Sequence, residues 1–289
     1  MKEVILAHMG GPAGETELRG FLKNIFLDRE MMRLPFQHIS GRLLALLRFN
    51  ASRKNYEKTG WTPVKKISSS LAAKLNAMLG KEGFAVKPLY THTAPYIEQA
   101  APDAVILPLY PHYSSSLAGA MKKRAPGRGI IEHWYEKEGF IKMTAANVKK
   151  SAAGLVPEKT AIMFVAHSLP ESFVINGDPY IGQTNETFRA LGGFFPGYKV
   201  SLCYIGKAGP QKWVGPAARD VIGGMKNIDN IIASYISFPL DNIEVLYDMD
   251  IKLREKAVES GIKNFIRADL LNDSDEFAGF LADIIRGYK

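Results

Sequence analysis

Short unbroken apolar runs, each separated from the next by an amphipathic helical stretch, limit what this chain can fold into more than any other feature. Runs such as Val4-Ile5-Leu6-Ala7 and Ile162-Met163-Phe164-Val165-Ala166 carry no polar residue at alternate positions. A strand of that kind has no face to offer water, so it belongs in a parallel sheet covered by helices on both sides. The helical stretches supply the crossovers that parallel pairing needs. Strands are expected at Val4–His8, Ala85–Tyr90, Ala104–Leu109 and Gly129–His133, then at Ala161–His167, Tyr198–Ile205, Ile228–Ile236 and Lys263–Ala268. Helices are expected at Glu15–Leu27, Ile67–Leu79, Tyr96–Ala101, Gly139–Ser151, Tyr180–Leu191, Trp213–Gly223, Asn242–Ser260 and Ser274–Tyr288.

The two halves begin alike. Val4-Ile5-Leu6-Ala7-His8 and Met163-Phe164-Val165-Ala166-His167 each lead through a loop into a helix. The expected fold is α/β, with two similar Rossmann-like domains, each a four-stranded parallel sheet flanked by helices. The first is expected over 1–152 and the second over 153–289, with Ala152–Glu158 as linker and the last helix packing back on the first domain. Residues 30–66 interrupt the alternation. They hold Leu34-Pro35-Phe36 and Leu43-Leu44-Ala45-Leu46-Leu47 among basic side chains. This insertion reads either as a helix docked on the core or as an exposed lip beside a hydrophobic ligand or a bilayer.

A chain of 289 residues, 46% hydrophobic and 23% charged, can bury two cores of ordinary domain size. Its one cysteine, Cys203, lies in an apolar run, so an internal disulfide and a cysteine-held iron–sulfur cluster are both excluded. The N-terminus enters a strand at once, and no apolar stretch reaches the roughly 20 residues that span a bilayer. A cytoplasmic protein without a signal peptide is expected. The net charge is +8, yet zinc-finger spacing, an RNA-binding sheet motif and a basic heptad helix are all missing, so nucleic acid is not an expected partner. The charge concentrates between Arg42 and Lys66, where seven basic residues accompany a single acid, Glu57. An anionic small molecule, an anionic membrane surface or water would each suit that patch.

In open α/β sheets, ligands sit beyond the carboxyl ends of the strands. The residues there include His8-Met9-Gly10-Gly11-Pro12, His92, Tyr110-Pro111-His112-Tyr113-Ser114, His167-Ser168-Leu169-Pro170, Gly206-Lys207-Ala208-Gly209 and the stretch from Phe238 to Glu244. Imidazole, aromatic and carboxylate groups suit metal or proton transfer beside a flat apolar ligand. Nucleotide binding fits poorly, because Pro12 breaks the glycine spacing and no Ser or Thr follows Lys207. Spacing alone leaves His167 open to a structural role. Asp241-x-x-Glu244 also has the spacing of a helix capping box.

A set of motifs runs along nearly the whole chain. It begins with Met9-Gly10-Gly11-Pro12, then Phe21-Leu22 with Asn24, Phe26 and Asp28, then Leu34-Pro35, and Tyr56 with Thr62-Pro63. Pro108-Leu109-Tyr110-Pro111 with Tyr113-Ser114 follows, then Ala166-His167-Ser168-Leu169-Pro170 and Gly177-Asp178-Pro179-Tyr180. Gly209-Pro210 with Trp213 and Pro216, Phe238 with Asp241, Ile243-Glu244 and Leu246, and Leu270-Leu271-Asn272 complete it. In this order and at these separations the motifs resemble the ferrochelatase family.

The resemblance implies the chelatase superfamily fold, with the active-site cleft between the two domains. It implies a lyase-class ferrochelatase that inserts Fe²⁺ into protoporphyrin IX to form haem b, with iron as substrate and no permanently bound cofactor. That reaction needs a base for two pyrrole protons, a slot that holds the macrocycle bent, and groups that replace water on the metal. By motif matching, His167 and Glu244 are the catalytic and metal-guiding pair, and an imidazole or a carboxylate can serve either task. Asp241 and Asp248 are candidates for a proton or metal relay. Asp248 lies a turn beyond Glu244, and Lys252 interrupts the row a turn later. Met9, Gly10, Tyr110, Trp213 and Phe238 fall where the family packs the macrocycle. Arg42, Arg48, Arg53 and Lys54 would meet the propionates or a membrane, which makes peripheral contact with the inner face of the cytoplasmic membrane an expectation.

The chain departs from the family at Thr91-His92, where Arg-Tyr is common, at Ile205-Gly206-Lys207, where Gln-Ser-Arg is usual, and at Asn242, where a His is often found. His92 is thereby a candidate extra imidazole. Met9 resembles the protoporphyrin-using branch, since coproporphyrin-using relatives tend to carry Tyr there. Three alternatives stay open: coproporphyrin as substrate; a cobalt or nickel chelatase, for which His8 or His92 would join His167; and a tetrapyrrole carrier without turnover. Porphyrin and ferrous iron are the expected partners, and the oligomeric state is left open.

Overall fold

The structure is a computed structural model that describes residues 1–207 and 209–288; Ala208, in the glycine-rich stretch noted above, and Lys289 lie outside the described residues. All eight expected strands form, in two separate four-stranded parallel sheets. The first sheet holds β1 (Lys2–His8), β2 (Phe84–Tyr90), β3 (Val105–Pro108) and β4 (Gly129–Ile130) in the order β2-β1-β3-β4. The second holds β5 (Thr160–His167), β6 (Lys199–Ile205), β7 (Asn230–Tyr235) and β8 (Asn264–Arg267) in the order β6-β5-β7-β8. Strand β1 is buried from Val4 to His8 and β5 from Thr160 to Ala166, as their unbroken apolar runs require. In each sheet the strand order reverses between the first and third strands, and the carboxyl ends of those two strands form a topological switch point.

Ten α-helices cover the sheets among the described residues: α1 (Glu15–Leu27), α2 (Gln37–Lys58), α3 (Val64–Leu79), α4 (Ala118–Arg124), α5 (Glu138–Ala152), α6 (Glu171–Ile175), α7 (Tyr180–Gly192), α8 (Ala218–Gly223), α9 (Arg254–Glu259) and α10 (Asp275–Gly287). Three expected helices differ. Tyr96–Ala101 forms only a 3₁₀ turn at Ile97–Gln99. The helix expected from Trp213 starts at Ala218, because Pro216 disfavours helical backbone before it and residues 213–217 run extended, with Trp213 bridging Pro170 and Ala217 bridging Tyr204. The stretch before α9 is wound from Glu244 to Leu253 as a π-helix, whose wider turns close hydrogen bonds to the fifth residue.

The chain packs as two compact units, Met1–His133 with Leu240–Ile243 and Asn272–Lys289, and Trp134–Pro239 with Glu244–Leu271. The first crossover thus falls at His133–Trp134, upstream of the boundary expected near 152. Its cause is α5, whose buried Phe140, Ile141, Thr144 and Val148 face the second unit's β7 and α7. Trp134, fully buried, sets its ring edge-on to Phe140 at 5.2 Å. In the first unit α10 packs on α3 and buries Phe277, Leu281 and Ile285, with Ser274 capping its start by accepting the Phe277 N–H at 3.2 Å.

Within the first unit, residues 30–66 dock on the core along one side and expose apolar side chains along the other. One face of α2 docks Ala45, Phe49 and Tyr56 on Leu18, Phe21 and Leu22 of α1. The other leaves Phe36, Ile39, Leu43, Leu46 and Leu47 exposed. Among the described residues no helix is long and apolar enough to cross a membrane.

Candidate active site

Strand β5 carries His167 to the switch point of the second sheet, where it is the first side chain of the strand to leave full burial. Its backbone N–H donates to Ser237 Oγ at 3.0 Å, and that hydroxyl shares a 2.5 Å hydrogen bond with Tyr180. These contacts fix the strand end. The His167 Nδ1 lies 3.0 Å from Glu244 Oε2. The hydroxyl of Tyr235, at the carboxyl end of β7, donates to the same oxygen. With a carboxylate as partner, Nδ1 carries the hydrogen and Nε2 holds the lone pair of the neutral ring. Phe238 walls the cluster, its ring 6.4 Å from His167 and 5.4 Å from Tyr235. The His167 and Glu244 side chains keep 28% and 24% of their exposure, so a reactant can reach both.

Glu244 opens the π-helix, but its carboxylate turns to His167 and Tyr235 and not to a capping box. Asp248 stays on the same face despite the wider turn, and Lys252 Nζ donates to Asp248 Oδ1 at 2.8 Å. Burial alone would lower the His167 imidazole pKa; the charge and hydrogen bond of Glu244, aided by Asp248, outweigh it and raise the pKa above the ordinary 6.5. The Asp248 carboxyl is raised, by burial first and by the charge of Glu244, against the opposing pull of Lys252. Tyr235 is held well above 10, by burial first and then by the charge of Glu244, so it remains a donor. Glu244 and Asp248 thus make the His167 imidazole a stronger base than an ordinary one.

Trp213 lies in the extended segment beside the residues that follow His167. Val214 N–H donates to the Leu169 carbonyl at 2.9 Å, and the Ser168 hydroxyl donates to the Val214 carbonyl at 2.8 Å. Tyr235, Ser237 and Tyr180 were not expected at the site. The signal for Tyr235 was present, as an aromatic with a polar tip closing the apolar run of β7.

The other expected residues lie in the first unit. Met9 is half-buried at the end of β1, and its N–H donates to the Tyr110 hydroxyl at 2.8 Å. Tyr110 is 1% exposed and Gly10 is buried, with φ +85° and a Cβ position only 2.0 Å from Thr93 Oγ1. Both shape the loop that presents Met9. Asp241 exchanges hydrogen bonds with Asn272, at 2.8 Å through its N–H and 3.0 Å through Oδ2. His92 is 1% exposed, with Nδ1 2.8 Å from Thr91 Oγ1 and Nε2 3.0 Å from Asp28 Oδ2. Both ring nitrogens are engaged, which overturns the expectation of an extra available imidazole. Arg42, Arg48 and Lys54 are exposed. Arg53 is partly exposed and pairs with Glu15 at 3.2 Å and with Glu57 at 3.6 Å.

A cavity of about 630 Å³ also opens in the first unit, lined by Asn24, Asp28, Arg29, Tyr96, Glu98 and Arg124 among others. Arg124 lies 2.7 Å from Glu98 and 3.9 Å from Asp28, so its charges are largely matched, and the acid–base pair at the end of β5 is the stronger candidate.

Two parallel α/β sheets, with an imidazole and a carboxylate meeting at a strand end, are the arrangement a protein of the chelatase class would have. A solved structure of CbiX, described as the terminal enzyme for biosynthesis of siroheme in denitrifying bacteria, matches over 100% of both chains with a TM-score of 0.62 at 14% identity, a likeness of fold. The ferrochelatase family model matches residues 2–288. The ferrochelatase of Aquifex aeolicus (strain VF5) is 32% identical over 307 residues, covering 99% of this chain and 98% of that protein. That of Desulfotalea psychrophila (strain LSv54 / DSM 12343) is 33% identical over 307 residues, covering 98% and 95%. The chain belongs to the ferrochelatase family, a family of metal chelatases.

Proposed function

We propose that the protein inserts Fe²⁺ into protoporphyrin IX to form haem b, with His167 and Glu244 as the reacting pair. The contact that carries this reading is the 3.0 Å approach of His167 Nδ1 to Glu244 Oε2 at the end of β5. Two pyrrole N–H protons must leave as iron enters. The Nε2 lone pair of His167 accepts a pyrrole proton, and the Glu244 carboxylate stabilises the imidazolium that forms. Asp248, which burial makes more basic than an ordinary carboxylate, is the next acceptor along the π-helix. Asp241, paired with Asn272, is a weaker relay candidate. The Glu244 carboxylate compensates iron for the water it sheds before it enters the ring. Trp213 and Phe238 offer the macrocycle apolar contact beside the pair.

Met9 supports protoporphyrin over coproporphyrin, because coproporphyrin-using relatives tend to carry Tyr at that place. The engaged ring of His92 removes one of the two imidazoles, His8 and His92, that a two-histidine cobalt or nickel site would draw on. The purified protein, given Fe²⁺ anaerobically with each porphyrin, should convert protoporphyrin faster, followed by metalloporphyrin absorbance. Faster coproporphyrin conversion would reassign the substrate. Binding without metal insertion would make the protein a carrier.

We further propose that α2 touches an anionic bilayer. Phe36, Ile39, Leu43, Leu46 and Leu47 are 55–84% exposed on one side of the segment, beside Arg33, Arg42, Arg48 and Lys54. An apolar stripe flanked by cations suits insertion between anionic headgroups.

A further inference from the structure

Gly206 follows the last residue of β6, where the sheet register sets Ile205 beside His167 and the Ser168 N–H donates to the Ile205 carbonyl at 2.7 Å. Its φ is +88°. A Cβ placed on Gly206 would lie 2.3 Å from Cε1 and 2.4 Å from Nδ1 of His167, and 3.2 Å from Nε2. Non-bonded carbon atoms approach to about 3.5 Å, so the imidazole occupies the volume that the side chain of any other residue would need. Nδ1, the atom in closest conflict but one, is also the atom that meets Glu244. A ring displaced from this seat leaves the carboxylate. The position is also one where the chain departs from the serine usual in the family.

We infer that Gly206 is a positioning residue of the metal-insertion site: its missing side chain is the seat that holds the His167 imidazole against Glu244. The inference rests on reading His167 and Glu244 as the reacting pair.

A double-variant cycle of thermal unfolding separates the seat from simple backbone strain, using the wild type, Gly206→Ala, His167→Ala and the double variant. If the methyl and the ring compete for one volume, Gly206→Ala lowers Tm by several degrees with the imidazole present and by less without it. Equal losses in both backgrounds would overturn the inference. If Gly206→Ala does not fold, folding of the double variant supports the seat and its failure to fold overturns it. In folded Gly206→Ala protein, kcat for Fe²⁺ insertion should fall about 100-fold with little change in KM for the porphyrin. Gly261→Ala, at φ +80° with open space around the added methyl, controls for strain and should keep wild-type kcat. Wild-type kcat in Gly206→Ala would overturn the positioning role. A wild type that inserts no iron would instead sink the functional reading, while the Tm cycle still decides whether the seat exists.

Discussion

The oxygen Oε2 of Glu244 receives two donors, the imidazole of His167 and the hydroxyl of Tyr235, and that convergence gives the site its electrostatics. Because Glu244 raises the His167 pKa in the folded protein, the native state binds the proton more tightly than the unfolded chain does. The stability contributed by this pairing is therefore fully present below the ordinary value of 6.5 and is lost as pH rises through the raised folded value. The Tm difference between the wild type and His167→Gln should be largest at acidic pH and shrink toward alkaline pH. A difference that grows with pH would contradict the charge pairing. Tyr235→Phe leaves Glu244 with one donor fewer and should cost about 1–2 kcal/mol in chemical denaturation, at the lower end for bonds to a charged group because the carboxylate is partly exposed. His167 and Glu244 were legible as members of a motif. Tyr235 was legible only as a polar-tipped aromatic ending an apolar run and not as a member of the site, because its hydroxyl matters only once β5 and β7 lie side by side.

At the scale of elements, the strands were the most legible, since unbroken runs such as those of β1 and β5 admit only a position inside a parallel sheet. The π-helix was not legible. Glu244, Asp248 and Lys252 share a face under either α or π winding, so the spacing could not tell the two apart. The extended run 213–217 was missed because its fate depends on pairing with Pro170 and Tyr204, far away in sequence. Helix α2 was ambiguous for a physical reason: apolar side chains point both toward α1 and away from it. Charging its outer stripe should leave the inner face packed. Leu43→Asp with Leu47→Asp is expected to keep the wild-type Tm within a few degrees while abolishing sedimentation with phosphatidylserine-containing vesicles. Unchanged sedimentation would remove the bilayer from the account.

At the scale of the whole molecule, the chain enters its second unit earlier than the sequence suggested and returns to the first at its end. The amphipathic character of α5 was visible, but which sheet would receive its apolar face was not, since both sheets present the same apolar surface to helices. The return has a direct consequence. Deleting residues 272–289 removes α10 from α3 and uncovers a face that buries Phe277, Leu281 and Ile285, so the first unit should lose cooperative unfolding although its own sheet is intact. Retained cooperativity in calorimetry would show that α10 is dispensable. The central claim is that one imidazole and one carboxylate act as a unit in moving protons away from a porphyrin while iron enters. The most direct test is anaerobic Fe²⁺ insertion measured in His167→Ala, Glu244→Gln and the double variant. Each single change should lower kcat about 100-fold or more, with the double no worse than the more damaged single. Near-normal rates in either single variant, or losses that multiply in the double, would contradict it.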